Sequence, residues 1–402
     1  METTVCPVCD TKSAVAFTEL LNLPIYCNLL WRDRDEAIAC PKGDIRLAFC
    51  NTCGAITNTA FDPSKLGYSQ DYENSLHYSA RFQEYAQGLA ERLVKKHQLH
   101  NKTIIEIGCG KGDFLVSLCE LGGNKGIGFD SSYTVRDEHE GMGDRVQFIQ
   151  DFYSEKYAHY SAEFVCCRQV LEHVKKPNEL LIPVGKAVAN SSDVTLFFEV
   201  PNGLYTFDNM MIWDIIYEHC TYFTPVSLAY AFTTTGYKTS AVSEEFGGQF
   251  LSIEAKLSSN RAENRQTVDA EALAKLTATI EGFESRFNDQ KQQWEASLSR
   301  LFERDKKIVV WGSGSKGVTF LNLLGLASTI QGGIEYAVDI NPRKQGKFIP
   351  GTGQVIVAPE RMKDYRPDVV IVMNPLYQQE IQDSLRQMNL TPQVVTTESF
   401  AV

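Results

Sequence analysis

Residues 106–112, with the sequence EIGCGKG, constrain the fold of this chain more than any other segment. They follow the apolar run 103–105 and precede an amphipathic stretch at 114–121, so the local order is strand, glycine turn and helix. Glycines in such a turn let the backbone approach a ligand closely, and the start of the helix offers N–H groups. The spacing is G-x-G-x-G after an acidic residue, which differs from the G-x-G-x-x-G pattern of dinucleotide-binding turns.

Strand and helix patterns alternate through the middle of the chain. Apolar runs typical of strands occupy residues 103–107, 126–129, 146–149, 164–167 and 194–199, and a late strand, expected to be antiparallel, occupies 250–257. This alternation predicts the α/β fold class, with a doubly wound parallel sheet. Ligands of such sheets bind at the carboxyl ends of the strands.

Polar and aromatic residues follow those strand ends in a consistent order. Asp130 ends the second strand about twenty residues after the glycine turn, where a carboxylate can accept hydrogen bonds from ribose hydroxyls. An acid and an aromatic ring after the third strand suit an adenine. The ordered set predicts S-adenosylmethionine (SAM), whose amino-acid end needs close backbone contact but carries no pyrophosphate. The alternatives are NAD and a degenerate site. The predicted cofactor-binding residues are Glu106, Gly108, Gly110, Gly112, Asp130, Asp151, Phe152 and Gln169.

Four of the eleven cysteines form two pairs with C-x-x-C spacing, Cys6 with Cys9 and Cys50 with Cys53. Four thiolates at this spacing suit a tetrahedral Zn2+ ion, and they close its coordination shell, so we expect a structural metal site. The alternative is two unrelated pairs of reduced cysteines. Disulfide bonds are not expected, because eleven cysteines in a chain of this length do not form a dense disulfide scaffold.

Charge and hydropathy exclude other classes of protein. The formal net charge of -11 argues against a general nucleic-acid-binding protein, which presents concentrated basic surface. No apolar stretch is long enough to span a bilayer, and residues 1–10 lack the pattern of a signal peptide. We therefore expect a cytoplasmic protein with a small-molecule partner and no membrane partner.

A second strand, glycine turn and helix begins near residue 307. Residues 312–317, GSGSKG, match the dinucleotide fingerprint, and Asp339 ends the next strand. Three interpretations of the turn remain open: it binds NAD, it holds the diphosphate of a nucleotide-linked substrate, or it only permits a tight connection between strand and helix. Lys316 and Arg343 are either phosphate partners or solvated charges.

Further strands are predicted at 307–311, 336–338, 355–357 and 369–373, after a helical segment at 261–307. The predicted domains are a zinc-binding domain at 1–66, a SAM-binding methyltransferase domain at 67–258, a helical connector at 259–300 and a Rossmann-like domain at 301–402.

In this combination of motifs the chain resembles the SAM-dependent C-methyltransferases of deoxysugar biosynthesis. The resemblance covers nearly the whole chain. The resemblance rests on the four paired cysteines, the tyrosine-rich connector 68–78, the turn at 106–112, the segment 216–223 (IYEHCTYF), the turn at 310–317, and residues 339–347 with 350–352. The family combines a zinc domain, a class I methyltransferase domain and a C-terminal Rossmann-like domain.

The resemblance implies a nucleoside-diphosphate 4-keto sugar as the substrate and a base that removes the C3 proton to form an enolate, which is then methylated. It makes His219 the base, with Glu218 orienting or tuning it, and places His173 in the active site. Imidazole is suited to such a proton transfer near neutral pH. Hydrogen-bond donors to the enolate oxygen are sought among Tyr78, Tyr217 and Tyr222. In the alternative interpretation, the Glu-His pair belongs to a packed strand edge.

Two segments depart from the family pattern. Ile216 stands where the family has a tyrosine, two residues before the Glu-His pair. The segment 373–377, MNPLY, replaces an apolar-proline-tryptophan-asparagine run in the C-terminal domain. A SAM-dependent O- or N-methyltransferase acting on a sugar or another small metabolite is therefore the alternative function, and the sequence leaves the oligomeric state open.

Overall fold

The computed structural model of the chain describes residues 3–67, 71–135, 137–189, 193–258, 268–327 and 333–398. Tyr68, at the start of the tyrosine-rich connector, and residues 261–267 of the predicted helical segment lie outside the described residues. Within the described ranges, none of the helices has both the length and the apolar character needed to cross a membrane.

The described residues form three β-sheets with helices packed against them. The strands are β1 (Thr3–Thr4), β2 (Ala14–Pro24), β3 (Lys42–Cys50), β4 (Ile56–Asn58), β5 (Thr103–Ile107), β6 (Lys125–Phe129), β7 (Val146–Ile149), β8 (Phe164–Arg168), β9 (Thr195–Pro201), β10 (Thr221–Tyr222), β11 (Tyr237–Glu245), β12 (Phe250–Leu257), β13 (Ile308–Trp311), β14 (Tyr336–Val338), β15 (Val355–Val357), β16 (Val369–Val372) and β17 (Gln393–Thr396). The α-helices are α1 (Arg34–Ile38), α2 (Ala80–His97), α3 (Asp113–Gly122), α4 (Asn178–Val188), α5 (Gly203–Asp208), α6 (Pro225–Thr234), α7 (Ala270–Ile280), α8 (Phe283–Phe302), α9 (Ser315–Leu323), α10 (Met362–Tyr365) and α11 (Gln378–Gln387).

The central sheet has the strand order β11-β12-β9-β8-β5-β6-β7. Its strands from β9 to β7 are parallel, whereas β12 pairs antiparallel with β9 and β11 antiparallel with β12. The inner strands are apolar on both faces because helices cover both sides of the sheet. This topology confirms the predicted α/β class and the antiparallel late strand. Strand β11 is absent from the sequence prediction.

The N-terminal sheet is antiparallel in the order β1-β2-β3-β4-β10. Its last strand comes from far along the chain, because Thr221 pairs with Thr57 and Tyr222 with Ile56. The Cys220 carbonyl also accepts a hydrogen bond of 3.0 Å from the amide of Asn58. The chain just before β10, which carries the predicted base, is thereby fixed to the N-terminal sheet.

The C-terminal sheet is parallel throughout, in the order β15-β14-β13-β16-β17. Four of its strands lie where the apolar runs predict them, and β17 is an addition. The predicted helical segment is two helices, α7 and α8, because Gly282 adopts a left-handed conformation with a φ of 71° between them.

Helix α8 joins the N-terminal and C-terminal sheets in one apolar core. Phe283, at its start, makes edge contacts with Phe17 of β2 and Phe207 of α5. Three turns further on, Trp294 packs against Trp213 and against Phe320 of α9. Burying each such aromatic side chain contributes roughly 1.5–3 kcal/mol to stability, so this helix holds the architecture around the site together.

Candidate functional site

The four paired cysteines converge on one point. The Sγ atoms of Cys6 and Cys53 lie 3.7 Å apart, those of Cys9 and Cys50 lie 3.5 Å apart, and all four lie within 4.8 Å of one another. All eleven cysteines of the chain carry free thiols. In a tetrahedron of sulfurs each about 2.3 Å from a metal, neighbouring sulfurs are about 3.8 Å apart. The donor set and its spacing therefore fit a closed tetrahedral metal site.

The glycine turn after β5 leaves space for a ligand. Gly108, Gly110 and Gly112 all have positive φ angles, of 71°, 56° and 89°. A Cβ atom on Gly108 would lie 2.1 Å from Cγ2 of Val170, whereas one on Gly110 would meet no atom within 4 Å. Gly108 is therefore required by packing, and Gly110 borders open space at the carboxyl end of the sheet.

Asp130 lies against this turn, as the strand pattern predicts. Its Oδ2 accepts a hydrogen bond of 2.9 Å from the amide of Gly110, and its Oδ1 accepts bonds of 2.7 Å from the amide and hydroxyl of Ser132. Each carboxylate oxygen has about two lone-pair sites, so capacity remains for further donors. Glu106 is buried at the end of β5, and that burial raises the pKa of its carboxyl group to about 8, although the charge of Arg168 opposes the shift.

Asp151 and Phe152 lie at the neighbouring strand end. The amides of Asp130 and Asp151 both donate to the carbonyl of Ile149, at 3.1 and 2.9 Å, which places the two acids side by side. The Asp151 carboxylate pairs with Lys156 and accepts a 2.7 Å bond from the Tyr157 hydroxyl, and these partners lower the pKa of Asp151 to about 2. The Phe152 ring is 63% exposed and available to a flat ligand group.

Gln169 connects the sheet end to a larger cavity. It has a φ of 55°, which is uncommon for a residue with a side chain and often marks a functional site. Its amide donates to the carbonyl of Glu199 at 2.8 Å, and its side-chain Nε2 donates to Oε1 of Glu199 at 3.2 Å. Glu199 also pairs with the buried Arg168 at 3.0 Å and accepts a hydrogen bond from Tyr85. Sequence reasoning missed this network, whose only signal is two charged residues inside apolar strands.

The cavity has a volume of about 450 Å³ and lies between the carboxyl ends of the central and C-terminal sheets. It brings together four of the predicted catalytic residues, Tyr78, His173, His219 and Tyr222. Of the predicted cofactor residues, all within the described ranges, only Gln169 lines it. The cofactor candidates at the ends of β5, β6 and β7 therefore form a separate group, with Gln169 between that group and the cavity.

His173 and His219 are in ring contact, with centroids 4.9 Å apart and planes at 76°. Nδ1 of His173 lies 2.9 Å from the main-chain carbonyl of Glu218, which can only accept, so this nitrogen carries the proton. Burial lowers the pKa of His173 to about 4, and burial together with the neighbouring His173 and Lys316 holds the pKa of His219 well below its usual range. Both imidazoles are neutral at pH 7, so each has one nitrogen able to accept a proton.

Glu172 is a site residue that the sequence prediction did not select. Its Oε1 lies 3.8 Å from Nε2 of His173, and one oxygen or nitrogen from each of Glu172, His173 and His219 lies within 4.8 Å of the others. The Oε2 atom is buried without a hydrogen-bond partner, and burial raises the pKa of Glu172 to about 8. Its only sequence signal is its position beside His173 after β8.

The structure corrects the predicted role of Glu218. Its carboxylate Oε2 accepts a 2.9 Å hydrogen bond from the amide of Cys27, in the N-terminal part of the chain. Among the described residues, no ion pair or hydrogen bond joins this carboxylate to His219. Glu218 reaches the histidines through its main-chain carbonyl instead, and it orients His173 rather than His219.

Two of the three tyrosine candidates, Tyr217 and Tyr222, have hydroxyl groups that form hydrogen bonds with main-chain groups. The Tyr222 hydroxyl accepts from the amide of Ile216 at 2.9 Å and donates to the carbonyl of the same residue at 3.0 Å, so its one proton is used. The Tyr217 hydroxyl accepts from the amide of Asp62 at 2.9 Å, and its ring is buried in the core. This geometry does not support a donor role for either residue. Tyr78 lines the cavity as Tyr222 does, and it is the remaining candidate for the donor.

The second glycine turn forms the opposite wall. Gly312 has a φ of 116°, and a Cβ atom on Gly317 would lie 2.1 Å from the Gly312 carbonyl oxygen, so both glycines are required by the tight turn. The Asp339 carboxylate accepts hydrogen bonds from the amides of Ser313 and Asn341, at 3.0 and 2.9 Å.

Two lysines reach the cavity beside this turn. Lys316 pairs with Asp214, and Lys344 donates to Oδ1 of Asn28 at 3.1 Å. Arg343, the other predicted phosphate partner, lies 3.6 Å from the buried Glu73.

Two protein families match parts of the chain. A methyltransferase domain matches residues 77–242, and the C-methyltransferase C-terminal domain matches residues 246–393. A curated relative, the C-methyltransferase NovU of Streptomyces niveus, is 24% identical over 399 residues, covering 95% of this chain and 92% of the relative. The fold and these matches define a SAM-dependent methyltransferase. More particularly, the chain carries the C-terminal domain that is found in C-methyltransferases.

Solved structures of other methyltransferases align with part of the chain. The Burkholderia thailandensis 1,6-didemethyltoxoflavin-N1-methyltransferase, bound to its substrate and S-adenosylhomocysteine, has a TM-score of 0.35 and 13% identity, covering 44% of this chain and 80% of that one. The magnesium protoporphyrin IX methyltransferase of Synechocystis PCC 6803, with bound S-adenosylhomocysteine, has a TM-score of 0.34 and 16% identity, covering 44% and 84%.

Proposed function

We propose that the protein transfers a methyl group from SAM to the carbon beside the carbonyl of a nucleoside-diphosphate keto-deoxysugar. The observation that carries this proposal is the pair of neutral imidazoles, His173 and His219, at the wall of a cavity between the central and C-terminal sheets. A group that removes a carbon-bound proton must be unprotonated and must face the substrate, and a neutral histidine at the cavity wall meets both requirements.

SAM is assigned to the ends of β5, β6 and β7, where it supplies the electrophilic methyl group that the substrate carbon receives. The open space beside Gly110 would accommodate the amino-acid end, the remaining lone pair of the Asp130 carboxylate would receive a ribose hydroxyl, and the exposed Phe152 ring would be available to the adenine. Gln169 stands between this group of residues and the cavity, where the two reactants must meet.

His219 is proposed to take the proton from the substrate carbon. The C–H bond breaks, an N–H bond forms on the imidazole, and the electron pair moves into the carbonyl to leave negative charge on its oxygen. Tyr78 is the candidate donor to that oxygen. The partly buried imidazolium that forms needs compensation, and its charge favours ionisation of the neighbouring Glu172 acid, which lies within 4.8 Å of it. His173, held by the Glu218 carbonyl, lies beside both groups.

The nucleotide is assigned to the C-terminal wall. Lys316 and Lys344 place two ammonium groups beside the Gly312 turn, and charge-assisted hydrogen bonds to a diphosphate are among the strong polar contacts of proteins. The Asp339 carboxylate accepts hydrogen bonds from Ser313 and Asn341 and keeps about as much capacity for a ribose as Asp130 does, so it does not decide between the two ligands. We favour a substrate diphosphate over NAD at this turn because the cavity that the turn lines also contains the two histidines.

The four-cysteine cluster is proposed to hold a structural Zn2+ ion, because four thiolates leave no open coordination position. It packs into the same core as β9 and α6, away from the cavity lining. We retain the domain assignment of 1–66, 67–258, 259–300 and 301–402, with the addition that β10 and α8 join neighbouring domains.

The proposal is tested by hydrogen exchange and methyl transfer measured together. The enzyme is incubated in D2O with thymidine- or uridine-diphosphate 4-keto-6-deoxyglucose, first with S-adenosylhomocysteine and then with SAM. We expect deuterium at the carbon beside the carbonyl and a new C-methyl signal in the NMR spectrum. His219→Asn abolishes both, whereas His100→Asn, at an exposed histidine, changes neither. A methyl group on oxygen or nitrogen, without exchange at carbon, contradicts the proposal.

A further inference from the structure

Lys111 is a buried lysine within the first glycine turn, between Gly110 and Gly112. It is 7% exposed, and its Nζ atom is buried without a hydrogen-bond partner. Among the described residues no carboxylate lies within ion-pair distance of it. The comparably buried Lys344 is 6% exposed but donates to Asn28 at 3.1 Å. Lys111 is therefore an unexplained charge at the cofactor turn.

Such a charge is costly to the folded chain. Removing an ammonium group from water without giving it a partner is among the most unfavourable events in folding. A buried polar group with no partner in a native structure requires an explanation, and an absent ligand is one of the few available. The position of Lys111 in a turn that borders open space at Gly110 makes a ligand the simplest explanation.

The chemistry of the ligand follows from its neighbours. An ammonium group needs an anion, and the turn leads into the start of α3, where main-chain N–H groups also favour negative charge. The carboxylate of Asp130 faces the same turn, so the ribose side of the ligand lies in that direction. At neutral pH the anionic group of SAM is the carboxylate of its amino-acid end.

We propose that the Lys111 ammonium group binds the carboxylate of SAM and of S-adenosylhomocysteine. The inference rests on the proposed placement of SAM at this turn and adds a residue that the sequence motif did not select. When the cofactor binds, the buried Lys111 ammonium group gains a charged hydrogen-bond partner. The unfavourable burial of an unpaired charge in the ligand-free protein is thereby relieved, and this relief contributes to the affinity for the cofactor. Lys111 therefore makes the site selective for ligands with an intact amino acid.

The test is isothermal titration calorimetry with two ligands that differ only in this group. S-adenosylhomocysteine carries the carboxylate, and S-adenosyl-3-thiopropylamine lacks it. We expect the wild type to bind the first ligand about 10- to 100-fold more tightly, in line with one charge-assisted contact. Lys111→Met loses that preference by weakening only the carboxylate ligand, and Lys111→Arg retains most of it. Lys125→Met, at an exposed lysine of β6, behaves as the wild type.

Thermal unfolding of the ligand-free proteins gives a second measurement. Lys111→Met removes an unpaired buried charge, so its Tm is expected to equal or exceed that of the wild type. Equal weakening of both ligands, or unchanged affinity for S-adenosylhomocysteine, overturns the assignment to Lys111. Failure of the wild type to bind S-adenosylhomocysteine at all overturns the placement of SAM instead, so the two failures are distinguishable.

Discussion

Gln249 and Asn374 exchange two hydrogen bonds of 2.9 Å, each side-chain amide donating to the carbonyl oxygen of the other. Gln249 lies just before β12 of the central sheet, and Asn374 follows β16 of the C-terminal sheet. Both side chains line the cavity. The pair therefore fixes the distance between the two walls that are proposed to hold the sugar and its nucleotide.

Replacing either member of this pair should loosen the cavity. In Asn374→Ala the buried Gln249 amide loses its partner, and we expect a loss of about 1–3 kcal/mol in the free energy of unfolding. Because substrate positioning suffers more than the chemistry, KM for the keto sugar should rise by about tenfold. A double-mutant cycle with Gln249→Ala, measured by urea unfolding, should give a coupling free energy of about 0.5–3 kcal/mol. Additive losses would mean that the two amides do not act together.

The glycine turn offers a comparison between two equivalent backbone positions. Gly110 and Gly282 have φ angles of 56° and 71°, and a Cβ atom on either would meet no atom within 4 Å. Alanine at either position should cost about 1–2 kcal/mol of stability, because a residue with a Cβ is strained there. Only Gly110→Ala should also weaken binding of S-adenosylhomocysteine, by about tenfold or more, since the added methyl group enters the ligand space. Calorimetry that finds equal affinity in both variants would remove Gly110 from the cofactor site.

The part of the site that could be predicted from the sequence is the part that local pattern determines. The turn at 106–112 and Asp130 are each placed by a strand that ends beside them, and parallel neighbouring strands bring their ends together. The cysteine pairs are likewise local, since each C-x-x-C segment forms its own turn. Strands β11 and β17 were missed because edge strands carry a mixed polar pattern that resembles a loop or a helix end.

The direction of individual side chains near β10 was not predictable. The contact between His173 and His219 depends on pairing between β10 and β4, which are far apart in sequence. That same pairing directs the Glu218 carboxylate to the amide of Cys27 and the Tyr222 hydroxyl to the backbone of Ile216. A sequence motif identifies which residues lie together, but tertiary contacts decide which of them face the substrate.

The metal site predicts a stability effect limited to the cysteine cluster. Cys50→Ser removes one of four ligands, and we expect loss of bound zinc and a Tm lower by 10 °C or more, because binding energy of a structural metal is folding energy. Cys40→Ser, at a buried cysteine outside the cluster, should retain its zinc. Metal content by mass spectrometry and Tm by calorimetry check both variants. A Cys50→Ser protein with full zinc content would contradict the four-thiolate site.

The buried acid of Glu172 predicts a pH dependence with a definite sign. Its pKa is raised from 4.5 to about 8 in the folded protein, so the folded state holds a proton that the unfolded state releases. The contribution of this group to stability is complete below pH 4.5 and is lost as the pH rises towards 8. His173 has the opposite dependence, because its pKa is lowered from 6.5 to about 4. Its contribution to stability is complete above pH 6.5 and is lost as the pH falls towards 4. Above pH 7 His173 no longer titrates, so of these two groups only Glu172 makes the free energy of unfolding depend on pH.

Glu172→Gln keeps the size of the side chain and removes its titration. Relative to the wild type, the variant should gain on the order of 1 kcal/mol in the free energy of unfolding between pH 7 and pH 8.5, where the wild type must ionise a buried acid. Glu106 is present in both proteins, so its titration cancels in the difference. Urea unfolding at half-unit intervals of pH measures it, with Glu179→Gln, on the surface of α4, as the control. A difference that stays constant across this range would show that Glu172 is ionised throughout, and the proposed support of the His219 imidazolium would then come from a permanent carboxylate.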